Sequence, residues 1–239
     1  MTTGSITPLD LVIVYAIPFA IIVVAFLLLV LAICVALRLP IEFDFKHDLV
    51  RKHEAKAKLP SGANQALSFA YLTKLLLGDN CVQATFLYRV SHLLARRRLR
   101  LLAEAVHAFS KFLTHIDVSP WAEIGPGLYL YHGLGSVVGK GSHIGKRALI
   151  CQGVTTGGGP RIGDDVRLWA GAKVIGKVTI GDRVEVGANA VVIRDVPSDS
   201  LAVGVPARVI PREKERAALS EIREFELAGS MHWSNPEIR

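Results

Sequence analysis

The sequence predicts a mainly-β chain, a parallel β-helix of short stacked strands preceded by a transmembrane helix and a small α-helical region. Two observations carry that prediction. Aliphatic residues recur every six positions through the second half of the chain, and an uncharged apolar run, Leu11 to Leu37, stands near its start.

The six-residue period begins with Val118, Ile124 and Leu130, continues through Val138, Ile144 and Ile150, and resumes in register at Ile162, Leu168, Val174, Ile180, Val186 and Val192. Four positions after most of these stands a small or branched residue, among them Ala122, Ser142, Ala148, Val154, Val166 and Ala172. Glycine follows the aliphatic directly at 125, 139, 145, 163, 181 and 187. Neither the helical period nor strict alternation gives a phase-locked six. A short strand followed by a corner does: three such units close a triangular coil, and successive coils stack their inward residues into a column.

The apolar run is long enough, at about 1.5 Å per residue, to cover a hydrocarbon core of roughly 30 Å. Only Asp10 is charged before it, whereas Arg38, Lys46, Arg51, Lys52, Lys56 and Lys58 follow, so the positive-inside rule expects the N-terminus outside and the remainder in the cytoplasm. The expected divisions are 1–38 for the tail and membrane helix, 39–115 for a charged linker and helical domain, 116–204 for the β-helix, and 205–239 for a C-terminal tail with a short helix. Helical spacing within 66–114 is interrupted by Arg96, Arg97, Arg98 and Arg100, read as a solvated helix end or turn. Three cysteines, Cys34, Cys81 and Cys151, offer neither a disulfide framework nor metal spacing. The net charge of +7 comes without the aromatic-basic interleaving of a nucleic-acid binder, and membrane headgroups or ligand phosphates are the expected anions.

One coil is irregular. Leu130 and Val138 stand eight residues apart, so two extra residues bulge from the stack, and His132 lies in that bulge between Tyr131 and Gly133. Imidazole is suited to removing a hydroxyl proton near neutral pH. A surface loop histidine without a task is the competing reading. Asp117, fifteen residues earlier, stands nearly one coil below, where a carboxylate can orient the ring or serve only as a corner residue. Gly157, Gly158 and Gly159 either admit a ligand close to backbone N–H groups or merely turn a coil. Lys173 and Arg208 are cationic candidates for phosphates.

The sequence resembles the serine O-acetyltransferase family and its hexapeptide-repeat relatives in polysaccharide biosynthesis. The resemblance is carried by Tyr88-Arg89-Val90-Ser91-His92, Ile116-Asp117-Val118-Ser119-Pro120, Ile124-Gly125-Pro126-Gly127, His132-Gly133 and Gly204-Val205-Pro206-Ala207-Arg208, about half of the chain. It implies a left-handed coil, acetyl-CoA as co-substrate, His132 as general base with Asp117 as its partner, and backbone contact of Ala170 with CoA. Flat solenoid faces further lead to the expectation of a homotrimer with ligand clefts between copies.

The chain also departs from that family. The long loop ending in Arg-His-Pro is missing, Arg161 being the one charge left there to replace it, and Tyr131 stands where an aspartate is expected. With the apolar run, these losses favour a membrane-anchored enzyme that acetylates a cell-surface polysaccharide or lipid-linked glycan, Tyr131 and Trp169 offering flat faces to a sugar. A serine O-acetyltransferase of cysteine biosynthesis is the alternative. Two further readings are a metal protein resembling γ-carbonic anhydrases, with His115, His132 and His143 as ligands, and a non-catalytic scaffold. No metal is expected for the enzyme.

Overall fold

The computed structural model describes residues 42–57 and 78–212, with isolated positions 25, 32 and 75. The chain divides into two units, Met1–Ile41 and Glu42–Arg239, and every element named below belongs to the second. The apolar run expected to span a membrane, 11–37, and the C-terminal tail beyond 212 fall outside the described elements. Among the described residues no helix is long and apolar enough to cross a membrane.

Among the described residues three helices precede the coil: α1 (Glu42–Ala57), α2 (Asn80–Arg96) and α3 (Arg100–Thr114). Asp79 caps α2 by accepting the Cys81 and Val82 N–H groups, as an aspartate with extended backbone at that position should. The arginine cluster falls at the turn between α2 and α3, where Arg96, Arg97 and Arg98 are exposed. Helix α1 occupies a stretch read from its charge as linker. It forms because Asp48, only 3 % exposed, is bound on all sides. It takes two hydrogen bonds from Arg89, and the Gly127 and Leu128 N–H groups donate to it at 2.8 and 2.7 Å.

Among the described residues, fourteen short strands then build a parallel solenoid of three sheets, and a fifteenth adds antiparallel at its end. The first sheet holds β1 (Asp117–Val118), β4 (Val137–Val138), β7 (Thr155–Gly157), β10 (Lys173–Ile175) and β13 (Val191–Val192) in that order. The second holds β2 (Glu123–Ile124), β5 (His143–Ile144), β8 (Arg161–Ile162) and β11 (Thr179–Ile180). The third holds β3 (Tyr129–Tyr131), β6 (Leu149–Cys151), β9 (Arg167–Leu168), β12 (Glu185–Val186), β14 (Ser200–Val203) and the antiparallel β15 (Arg208–Pro211). Each coil visits the three sheets in turn, so the parallel strands pair with those a full turn away, and only β15 folds back on β14 as a hairpin.

The six-residue aliphatic column is the core. Ile150, Val174 and Val186 are fully buried, and Val138, Leu168, Ile180 and Val192 are 1 % exposed. Each contributes about 1.5–3 kcal/mol by leaving water. One slot in the column is polar: Thr156 stands between Val138 and Val174 in register, fully buried. Its hydroxyl meets that of Ser142, also fully buried, at 3.0 Å, so neither polar group is stranded.

Helix α2 is bolted to the first coil by the residues that carry the family resemblance. The Tyr88 hydroxyl donates to Ala122 O at 2.8 Å and accepts from the Ile124 N–H at 3.2 Å. Arg89 donates to Ile124 O and Gly125 O while pairing with Asp48. His92 donates through Nδ1 to Pro120 O, since a carbonyl can only accept.

Candidate active site

The irregular coil places His132 where the chain turns from the third sheet into the first. Between β6 and β7 the same corner takes three residues, Gln152 to Val154, but between β3 and β4 it takes five, His132 to Ser136. His132 adopts the left-handed backbone conformation, φ 55°, and its side chain is exposed. The Tyr131 ring lies edge-on against it with centroids 4.2 Å apart. The His132 ring makes no hydrogen bond among the described residues. The loop itself is fixed: Gly135 N–H donates to His115 O at 3.0 Å, and Asp117 N–H donates to Ser136 O at 2.9 Å. Gly133 is buried in it, and a Cβ there would lie 2.9 Å from Ile116 Cδ1, so the Ile116 side chain would have to shift to admit one.

Asp117, at the start of β1, is therefore tied to the loop that carries His132. Its carboxylate, however, is hydrogen-bonded to a different imidazole. His107 Nε2 of α3 lies 2.8 Å from Asp117 Oδ1, and Lys111 Nζ lies 3.8 Å from Oδ2. His107 was not legible as a site residue; its only signal was a position two helical turns before the helix end.

The remaining candidates separate into groups. Ala170 and Trp169 belong to the same corner column as His132, two coils further along, about 10 Å at the usual strand spacing. The Ala170 carbonyl accepts the Asn189 N–H, while its own N–H meets no acceptor among the described residues. Lys173 shares the outward column of Asp117 through the register Asp117, Val137, Thr155, Lys173, three ladder steps or about 14 Å away. Gly157, Gly158 and Gly159 form the next corner, between the first and second sheets. Gly158 has φ +83°, and a Cβ on it would lie 2.8 Å from Gly176 Cα, so coil stacking itself demands glycine there. Arg161 opens β8 on the outer face of the second sheet, above His143 and below Thr179, away from the His132 corner of its own chain. Arg208 is exposed on β15. His115, His132 and His143 do not converge, and among the described residues no three metal-ligating side chains do.

A groove of about 750 Å³ runs along the outer face of the second sheet, lined by His92, Arg96, Glu123, His143 and Arg161. Its floor is the glycine ladder 125, 145, 163 and 181. Those glycines answer to stacking, since a Cβ on Gly125 would lie 2.9 Å from the Gly145 backbone.

A coil of this kind, with an exposed imidazole on an enlarged corner, defines the hexapeptide-repeat transferase class, and the family model for bacterial transferase hexapeptide (six repeats) matches residues 159–194. Serine acetyltransferase of Helicobacter pylori is 40 % identical over 76 residues, 32 % of this chain and 44 % of its own. That of Synechococcus elongatus is 41 % identical over 142 residues, 56 % of this chain and 58 % of its own. The chain thus spans about half the length of these curated relatives. The solved Neisseria gonorrhoeae serine acetyltransferase in complex with serine superposes with a TM-score of 0.61 at 31 % identity, over 70 % of this chain and 68 % of that one. The soybean enzyme complexed with serine gives 0.63 at 35 % identity, over 71 % and 69 %. The chain belongs to the serine acetyltransferase family.

These relatives correct two expectations. The membrane-anchored enzyme acetylating a surface glycan gives way to the alternative, because relatives and structural neighbours alike are serine acetyltransferases. The placement in the cytoplasmic membrane, N-terminus outside, falls with it, since it rested on the membrane-anchored reading and the relatives are serine acetyltransferases; the apolar run itself, apart from the isolated positions 25 and 32, lies outside the described residues. The two rings expected to face a sugar make contacts within the chain. Tyr131 packs edge-on against His132 and Tyr129, and Trp169 Nε1 donates to Glu185 Oε2 at 3.0 Å.

Proposed function

We propose that the chain is an acetyl-CoA-dependent serine O-acetyltransferase in which His132 is the general base. The observation that carries this reading is the exposed His132 ring, with no hydrogen bond among the described residues, on the enlarged corner where the family has its base. Relatives solved in complex with serine and with CoA support both substrates.

His132 takes the proton of the serine hydroxyl as its oxygen attacks the thioester carbonyl. The tetrahedral intermediate collapses with cleavage of the C–S bond, and the imidazolium returns its proton to the departing sulfur. O-Acetylserine and CoA leave. Asp117 supports the imidazolium, and the free Ala170 N–H on the same corner column donates to the bound acyl donor. Lys173, on the Asp117 face, meets a CoA phosphate; Arg208 and the Gly157-Gly158 corner serve the donor along more distant faces.

The coil is left-handed, as the family resemblance gives it, and the working form is a homotrimer. On a single chain Arg161 and His132 lie on different faces. Packing about a threefold axis sets one copy's second sheet, with its groove, near another's corner and encloses a cleft between the two. Light scattering of the purified full chain reads that directly, and a monomer refutes it.

The test of the activity is CoA release by the full chain with acetyl-CoA and L-serine, with O-acetylserine identified by mass. Saturable, serine-dependent release is expected. Release no faster with serine than without an acceptor refutes the proposal.

A further inference from the structure

The carboxylate that should steer the base is itself held by helix α3. His107 reaches Asp117 Oδ1 at 2.8 Å through Nε2, which must be the donor because a carboxylate only accepts. His107 Nδ1 stands 3.6 Å from Glu104 Oε2, and Lys111 approaches the other Asp117 oxygen. Positions 104, 107 and 111 fall on one helical face, three and four residues apart. The His107 side chain is only 12 % exposed, whereas Glu104 is 57 % and Lys111 45 % exposed, so the imidazole is the fixed member of the group.

We infer that His107 is a positioning residue for the transfer reaction, holding Asp117 in the orientation from which it serves His132. The inference rests on the reading of His132 as base and Asp117 as its partner. A carboxylate 37 % exposed on the face of a solenoid has two freely turning torsions. The bond from a mostly buried ring on a rigid helix removes that freedom. The same helix end is locked to the His132 loop, because His115, its left-handed C-cap, accepts the Gly135 N–H while its own N–H closes on Lys111 O. Helix α3, Asp117 and the loop thus move as one body, which is the preorganisation a proton transfer needs.

A purely structural clip would give the same bonds, so the test separates the two roles. Turnover of serine and acetyl-CoA is measured on the full chain for His107→Phe, His107→Gln, Asp117→Asn, His132→Asn and the double variant His107→Phe/Asp117→Asn. Phenylalanine fills the ring's volume without donating, whereas the glutamine amide can donate to the same oxygen. His107→Phe should lower kcat about tenfold or more while the KM for acetyl-CoA stays within about twofold. His107→Gln should recover most of that loss, and His107→Phe should cost nothing further in the Asp117→Asn background. Normal kcat in folded His107→Phe, additive losses in the double variant, or a glutamine variant as slow as the phenylalanine one overturns the proposal while leaving His132 as base. Normal turnover of His132→Asn refutes the underlying reading instead, and normal turnover of Asp117→Asn removes the group to be positioned and the proposal with it.

Discussion

Tyr88→Phe isolates the bolt between α2 and the first coil. Tyr88 is 1 % exposed, and its ring volume survives the substitution, so packing is unchanged. What disappears is one oxygen that donates to Ala122 O and accepts from Ile124 N–H, both buried. No other described group satisfies the Ile124 N–H, because the neighbouring ladder bonds use the Glu123 and Gly125 N–H groups. Two net hydrogen bonds of about 1 kcal/mol each are lost, and two backbone groups stay buried without partners, for a cost of about 2–4 kcal/mol. In a chain of this size that lowers Tm by roughly 4–16 °C. Calorimetry of the full chain reads the shift, and amide exchange locates it at Ile124, which should lose protection while Val174 keeps its own. A Tm within about 1 °C of the parent, with Ile124 still protected, would refute the account of why the tyrosine is there.

Val174→Asp puts an unpaired charge into a fully buried column slot and should abolish the folded state, read as loss of the β signature by circular dichroism. Gly158→Ala should destabilise by about 2 kcal/mol or more, since it combines positive φ with a 2.8 Å approach to the Gly176 backbone. Gly135→Ala, at φ +70° with nothing near, should cost only about 1 kcal/mol, and denaturant titration compares the two. Burial holds His92 below the ordinary histidine value, with Arg89 and Arg96 adding repulsion against partial opposition from its Pro120 hydrogen bond and Glu123. The folded chain therefore binds that proton less readily than the unfolded one. The stability involved is fully present above the unfolded value of about 6.5 and is lost as pH falls through the lower folded value. His92→Gln should flatten the decline of stability below about pH 6.5; an unchanged slope counts against this origin.

The solenoid could be read from the sequence because its defining contact is a column of like side chains, repeated at a fixed interval. Val138, Val174 and Val192 announce themselves. Thr156 did not fit that pattern, because the hydroxyl that satisfies it belongs to Ser142, fourteen residues away at the corner before β5. Helix α1 was hidden for a similar reason. Its composition says linker, and only the anchoring of Asp48 by Arg89, Gly127 and Leu128, at separations of 41 to 80 residues, makes it worth folding. At the site, the two extra residues exposed His132 as an interruption of a strict repeat. His107 left no such mark, since its partnership with Asp117 depends on the left-handed turn at His115 that folds helix back onto strand. The apolar run misled the choice of acceptor, because composition alone describes one segment and is silent on the chemistry of another.

The central claim is that His132 removes the acceptor proton, and His132→Asn tests it most directly. Asparagine tolerates the left-handed backbone found at this position, so the loop should stay intact. With acetyl-CoA and L-serine saturating, the variant should retain its parent's Tm and KM for acetyl-CoA, with kcat lower by about 100-fold or more. Turnover within about threefold of the parent, in a folded variant, would contradict the claim.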